Sequence, residues 1–552
     1  MEKLNHPESD KYDLPEKIQK YGDPSRNLFL TIVLIVFVGL LIAFSLSKKQ
    51  DTSISSEYAI YYPQSTLFYM DARLDSKAIE NINKYKSHSV KGLPDILGRI
   101  YTLENKNYDS GRANTLMQET FSDSFGFGSW NQKDGAPGSL LIMPVKREIK
   151  IKKLFEILYG KNGRIAAKNY QGYKITTSKN KKGAFCLVGN KLFLADSYDT
   201  LVFIIDNYLV HSSNSLYNRH DVRELLYKLD KNRVGTVIFP DINYLFSKIE
   251  GLASLKDFSS SIKKFSNTLN IAAASILINK DILEFNCFIP YNPDNIKDNF
   301  LKKAFEKIFI KSELAYTPDA LPEQTVSFIN IKNFNDYLYF MLELSNLNHT
   351  KEYEQAKQLM KMFTSLDLDS DIISLFKDNT VLAAINTGKQ RPDFALIIPD
   401  RQKTSDIVKT LIKILSTQMP GSELAKTTYR GKELELAYTS KRPEKIVYGK
   451  LSPGLYSIGE KGAVEYLIDT TAHKRLNLSN NKLYKNFESY NNSESRVILY
   501  FNIDNALKIW NNQPFITKND LYNKIEGSAN AVLLNAYSDN RTIKANMQLY
   551  LK

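Results

Sequence analysis

The chain has little of what most enzymes and small exported domains are built with. Of its 552 residues only Cys186 and Cys287 are cysteine, and no Cys-x-x-Cys occurs. That excludes a disulfide scaffold and a thiolate zinc site. One disulfide between them is permitted outside the cytoplasm but not required. Both sit in apolar runs that read as strands, Ala-Phe-Cys-Leu-Val and Phe-Asn-Cys-Phe-Ile, so inert core positions are expected. Histidine is nearly as scarce, with His6, His88, His211, His220, His349 and His473. None forms His-Glu-x-x-His, and no two share the i, i+4 spacing that sets zinc ligands on one helical face. A Gly-x-Ser-x-Gly elbow and a Walker loop are also missing. No cofactor, no metal and no catalytic residue are therefore assigned.

Three short patterns come nearest to chemistry. Ser260 or Ser261 followed by Lys263 or Lys264 fits Ser-x-x-Lys, in which a lysine one turn on accepts the serine proton. Its companion motifs are missing, and a chain this rich in Ser and Lys produces it by chance. Gly126 to Gly138 is glycine-rich without Gly-Lys-Ser/Thr, and reads as a hairpin or loop. Asp367, Asp369 and Asp371 resemble the start of a calcium loop, but Ile372 stands where the tight turn wants glycine. Asp369 to Asp371 capping a helix begun at Ile372 is the expectation.

What is present is charge, apolar mass and pattern. Hydrophobic residues make up 43% and charged residues 24%, which suits a chain that buries real cores. The net charge of +14 suggests an anionic partner. Nucleic acid would leave a dense Lys/Arg stripe. The densest runs, Lys146 to Lys153 and Lys179 to Lys182, are short, so no nucleic acid is expected. An anionic membrane surface or polymer needs no motif and stays open.

Leu28 to Leu46 is nineteen residues without a charge (LFLTIVLIVFVGLLIAFSL). At 1.5 Å per residue it covers most of a hydrocarbon core of about 30 Å. The polar stretch before it is long and the apolar run exceeds the usual 7–15 residues of a signal peptide, which favours an uncleaved anchor. Lys3, Lys11, Lys17, Lys20 and Arg26 precede the span, against Lys48 and Lys49 just after it. The expected arrangement is a cytoplasmic tail (1–27), a transmembrane helix (28–46), a tether (47–54) and an extracytoplasmic remainder on the plasma membrane.

The remainder repeats itself. Pro63, Thr66, Phe68 and Asp71 match Pro322, Thr325, Phe328 and Asn330, and the first pair gives an offset of 322 − 63 = 259. Tyr170-Gln-Gly172 matches Tyr429-Arg-Gly431 at the same offset. Thr542 to Leu551 alternates with Ile543, Ala545, Met547, Leu549 and Leu551 on one side. Leu283, Phe285, Cys287 and Ile289 give the same period of two about 260 residues earlier, with Glu284 and Asn286 outward. Two tandem copies of an α+β domain, mixing helices with an antiparallel sheet, are expected at 55–295 and 313–552. A linker helix (296–312) joins them, with Ile296, Phe300, Leu301, Ala304, Phe305 and Ile308 on one stripe. Within the second copy, Ile407, Leu411, Ile414 and Leu415 line a helix that Ser405 or Asp406 could cap.

An N-terminal anchor followed by a region opening on Pro63, Thr66 and Phe68, echoed at Pro322, Thr325 and Phe328, resembles the uncharacterised bacterial domain-of-unknown-function family 3352. The resemblance implies a membrane-anchored protein and carries over no activity. The function expected is a single-pass envelope protein, non-enzymatic, that binds or scaffolds an envelope protein or anionic polymer. The alternative is an anchored extracytoplasmic hydrolase or transferase with its site in one copy only.

Overall fold

The computed structural model describes residues 58–73, 119–131, 137–146, 165–178, 183–209, 214–242, 267–279, 281–308, 318–417, 422–439, 442–487, 494–511, 529–539 and 541–551. The expected span Leu28 to Leu46 lies outside them. No helix among the described residues is long and apolar enough to cross a membrane.

Strand-forming runs dominate. The first ten strands are β1 (Thr66–Arg73), β2 (Ser124–Asn131), β3 (Pro137–Pro144), β4 (Ile165–Tyr170), β5 (Tyr173–Ser178), β6 (Ala184–Val188), β7 (Lys191–Ala195), β8 (Gly235–Phe239), β9 (Ala272–Asn279) and β10 (Ile282–Pro290). The next ten are β11 (Thr325–Lys332), β12 (Asn379–Ile385), β13 (Asp393–Pro399), β14 (Ser422–Tyr429), β15 (Lys432–Thr439), β16 (Arg442–Ser452), β17 (Leu455–Glu460), β18 (Val497–Asn502), β19 (Ala529–Asp539) and β20 (Thr542–Leu551). The helices are α1 (Tyr198–Ile204), α2 (His220–Lys228), α3 (Asn299–Ile308), α4 (Phe334–Leu344), α5 (Lys351–Thr364), α6 (Thr404–Thr417), α7 (Lys461–Thr471), α8 (Lys482–Lys485) and α9 (Ile503–Asn511). The fold is α+β, mostly antiparallel sheet.

Pairing fixes the order. The first ten strands run β4-β5-β6-β7-β3-β2-β1-β8-β9-β10, every neighbour antiparallel. The next ten run β14-β15-β16-β17-β13-β12-β11-β18-β19-β20. The two sets meet where β10 pairs antiparallel with β20. At this seam Leu283 lies across Leu549, Ile289 across Ile543 and Asn286 across Asn546. Moving by 546 − 286 = 260 residues exchanges the first two pairs and leaves the third in place.

Local chemistry repeats with the order. Before β1 the Thr66 hydroxyl donates to the Pro63 carbonyl at 2.6 Å, and before β11 Thr325 donates to Pro322 at 2.6 Å. Pro63 bridges Ser215 and Pro322 bridges Asn477, tying each strand start to a distant turn. The β4–β5 and β14–β15 hairpins turn on Gln171-Gly172 and Arg430-Gly431, with φ of 46°, 84°, 53° and 76°. Two consecutive positive φ values make a primed turn, whose twist matches the strands it joins; the second position is glycine in both.

Both faces of the sheet are covered. On one face Tyr69, Leu140 and Phe193 pack under α1 and α2, while Phe328, Tyr500 and Leu533 pack under α7 and α8. On the other, Met70, Val237, Leu283, Val532 and Leu549 form a core shared by both sets and closed by Ile503 and Leu507 of α9. Each such side chain contributes roughly 1.5–3 kcal/mol by leaving water. This covering corrects one expectation: Glu284 is buried rather than outward, and Gln548, its partner across the seam, is buried with it. Alternation marks which residues share a face, and here the polar face is also inside.

Helix α3 follows the expected stripe with Leu301, Ala304, Phe305 and Ile308 buried against α4, but Phe300 is exposed, its ring beside that of His349. The turn at Leu368–Ile372 is capped by Asp367, whose carboxylate accepts from the Asp369 and Ser370 amides, and not by Asp369 to Asp371. Asp369 instead accepts from Tyr353 and pairs with Lys357. The glycine-rich stretch supplies the paired strands β2 and β3, and Gly126 and Gly128 lie hard against the Tyr58 and Tyr62 side chains. The Ser-x-x-Lys positions lie outside the described residues.

Candidate functional site

A concave wedge lies between α6 and the sheet. Its origin is local. Thr404 starts the helix, accepting from the Arg401 amide at 2.9 Å and donating to the Pro399 carbonyl at 3.1 Å. Ser405 and Asp406, the expected caps, fall inside the first turn. Ile407 and Val408 then press onto Ile398, Tyr448 and Tyr456 and are fully buried. Toward the C-terminal end the helix lifts away: Ile412 is half-buried and Leu415 is 53% exposed. The space beneath measures about 700 Å³.

Register builds the floor. Leu382 on β12 lies across Leu396 on β13, and Leu396 across Ile458 on β17, so three branched aliphatic side chains stand in one row. Phe394, two residues along β13, shares their face and is 47% exposed. Ala437 and Ile446, paired across β15 and β16, belong to the adjacent row, where Ile446 lies across Glu460. The roof is Ile412, Leu415 and Ser416. Leaving Leu382, Phe394 and Leu415 uncovered forfeits burial that a well-packed helix would gain.

One edge carries charge. The Arg391 guanidinium donates to Glu460 through two nitrogens, at 3.0 and 2.5 Å, and the Phe394 amide donates to the same carboxylate at 2.9 Å. Burial pushes the Glu460 carboxyl up, but these bonds and the Arg391 and Lys389 charges outweigh it and hold it below the usual range. Arg391 thus faces the wedge already neutralised. Across the opening, the buried Ser422 hydroxyl lacks a hydrogen-bond partner among the described residues. The wedge offers apolar contact along its length and isolated polar groups at its rim.

A second concentration of polar chemistry is closed. Asp71, Thr236, Ser275, Asn286, Asn546 and Asn535 are successive cross-strand neighbours from β1 to β19. Ile498 and Asn330 complete the row on β18 and β11. Tyr69 donates to Asp71 at 2.7 Å, and Arg233 donates to Thr236 at 2.9 Å. Ser275 and Asn286 both donate to Asp230, at 2.5 and 3.0 Å, and Asn546 donates to Glu284 at 2.6 Å. Burial pushes the Asp71 carboxyl up to about 6, against the Tyr69 and Thr236 bonds and the Arg233 charge. Asp71, Thr236, Ser275, Asn535 and Asn330 are all buried, so this row is interior lattice rather than a place for substrate.

The residues that mark the repeat in sequence, Pro63, Thr66, Gly172, Pro322, Thr325 and Gly431, serve turns and strand starts and line neither feature. Beside each hairpin stands a hydroxyl–carboxylate contact. Tyr170 donates to Asp206 at 2.9 Å, and Tyr429 donates to Asp469 at 3.1 Å. No cluster of three or more metal-ligating side chains occurs among the described residues. Cys186 is buried and Cys287 half-buried; burial pushes their thiols up to about 12 and about 11, and the two are not joined. The wedge residues span 382–460 on six strands and a helix, and only the register of those strands would have revealed them.

The model of a family described as a protein of unknown function (DUF3352) matches residues 28–425. No curated protein matches the chain. Among solved structures, crystal form III of the protein TP0453 is similar over 49% of this chain and 90% of its own, at 7% identity and a TM-score of 0.26. Crystal form IV covers 42% and 79%, at 6% identity and a TM-score of 0.27.

Proposed function

The chain belongs to the DUF3352 family, and we propose that it is a membrane-tethered, non-enzymatic binding module that holds an apolar chain in the wedge beneath α6. The observation that carries this reading is the wedge itself: about 700 Å³ with an aliphatic and aromatic lining. Ligand pockets commonly measure 300–1,000 Å³, with an apolar lining and a few polar groups fixing orientation. The occupant would be a linear hydrocarbon, laid along the row of Leu382, Leu396 and Ile458 that runs across three strands.

We further read the exported region as two tandem copies of one ten-stranded domain, at 55–295 and 313–552. Support comes from the identical strand order of β1–β10 and β11–β20, the self-matching seam at Asn286 and Asn546, and the twin turns. The anchor is Leu28 to Leu46, with the N-terminus cytoplasmic and the domains on the outer side. Alkaline phosphatase fused after Lys552 tests that orientation; an inactive fusion beside an active cytoplasmic reporter would reverse it.

Ligand binding is tested by titrating the detergent-solubilised full chain with a fluorescent polyene fatty acid. Saturable enhancement at one site per chain is expected, displaced by unlabelled fatty acid. Leu415→Glu and Phe394→Asp, both at exposed positions, should weaken binding at least tenfold. Equal binding by both variants and the parent would exclude the wedge.

A further inference from the structure

A second apolar surface stands near the wedge and lies outside it. No residue of α5 is buried. The helix is held to the body by polar links, with the Tyr353 hydroxyl and the Lys357 ammonium both on Asp369 at 2.8 and 2.7 Å. Its free side carries Leu359, Met362 and Phe363, spaced i, i+3, i+4 and therefore on one stripe. Met362 is 68% and Phe363 77% exposed. Lys361 is exposed in the same turn but on another face of the helix, and Lys413 is exposed on α6; neither forms an ion pair among the described residues. Immediately after the helix, Leu366 packs against the α6 core of Ile407 and Val408. The stripe therefore sits beside the helix that roofs the wedge.

We propose that the C-terminal end of α5 docks onto an anionic lipid surface, with Leu359, Met362 and Phe363 entering the headgroup region and the cationic chain drawn to lipid charge. Interfacial binding scales with the apolar area inserted and with attraction between a cationic protein and anionic lipid. The charge complementarity extends to the whole chain, at +14. Geometry permits the contact, and here the proposal rests on the reading of Leu28 to Leu46 as an anchor. Residues 47–57 separate that segment from Tyr58 and reach at most about 40 Å when extended. The domain cannot leave the neighbourhood of the bilayer. A wedge roofed by α6 would then open beside the phase that supplies hydrocarbon chains.

The test is environment-sensitive fluorescence on the full chain in nanodiscs containing anionic lipid. A nitrobenzoxadiazole probe is attached at Phe363→Cys, with a matched probe at Leu476→Cys, both in a Cys287→Ala background. Co-elution of the chain with discs reports the anchor separately from the probe. The proposal expects blue-shifted, brighter emission at position 363, quenched by nitroxide-bearing lipid, with position 476 remaining aqueous. An aqueous probe at 363 in chains that do co-elute with discs overturns it. So does a blue shift that follows protein concentration without lipid, which would mean a second copy covers the stripe.

Discussion

Two sets of ten strands, wound in the same order, treat the same place differently. At the far end of the buried polar row the first set carries Asp71 and the second Asn330. Asp71 has a hydroxyl bond from Tyr69 and the nearby Arg233 charge, yet burial still drives its carboxyl up to about 6. Asn330 has no charge to desolvate. The comparison teaches that the row is tolerated for shape and hydrogen bonding, and that a charge within it opposes folding at neutral pH.

Exchanging the two residues breaks or sharpens this comparison. Asn330→Asp carries the largest expected effect. It puts a carboxylate where neither side-chain atom of the native amide has a partner among the described residues. The expected loss is on the order of 3 kcal/mol or more at pH 7, and smaller near pH 4, read by urea unfolding. No loss would mean the second set is open to water at this point.

Asp71→Asn is the converse, and its sign follows from linkage. The folded carboxyl titrates near 6 and an unfolded one near 3.8. The folded state therefore holds the extra proton between those values. The stability tied to it is complete below about 3.8 and is lost as pH rises through 6. At 1.36 kcal/mol per pH unit, the loss is about 3 kcal/mol at pH 7. Asp71→Asn, which keeps an acceptor for Tyr69, should raise stability by up to that amount at pH 7 and by little near pH 4. A pH-independent difference would remove the charge from the explanation.

The smallest effect concerns the hairpin contacts. Tyr170→Phe removes the bond to Asp206, which also accepts from Gln171, whereas Tyr429→Phe leaves Asp469 its Arg430 partner at 2.8 Å. Tyr429→Phe should cost about 0.5–1.5 kcal/mol and Tyr170→Phe less, with only the Tyr429 effect becoming larger in high salt, as screening weakens the remaining ion pair. Identical salt responses would show that Arg430 contributes nothing there.

These contrasts also show what the sequence could and could not convey. The turn residues were legible because their roles are local: Pro63 with Thr66 and Pro322 with Thr325 act within four residues. The alternation of Thr542 to Leu551 was legible as a strand. Glu284 on the matching strand reads as outward and is buried, because alternation says nothing about whether a second layer covers that face. Phe300 and Leu415 matched apolar stripes and yet lie exposed; a stripe specifies an orientation, and whether anything meets it is decided by distant elements. The wedge was invisible for the same reason. Leu382, Leu396 and Ile458 become neighbours only through two strand registers, and no spacing along the chain encodes that.

The central claim, that the wedge beneath α6 holds a hydrocarbon chain, is tested most directly by photo-crosslinking. The full chain in its membrane would be labelled with a fatty acid bearing a terminal diazirine and then digested for peptide mapping. The account predicts adducts on residues 412–416 and 394–396 or 458, lost when excess unlabelled fatty acid is present. Adducts confined to other segments, or labelling that competitor does not reduce, would contradict it.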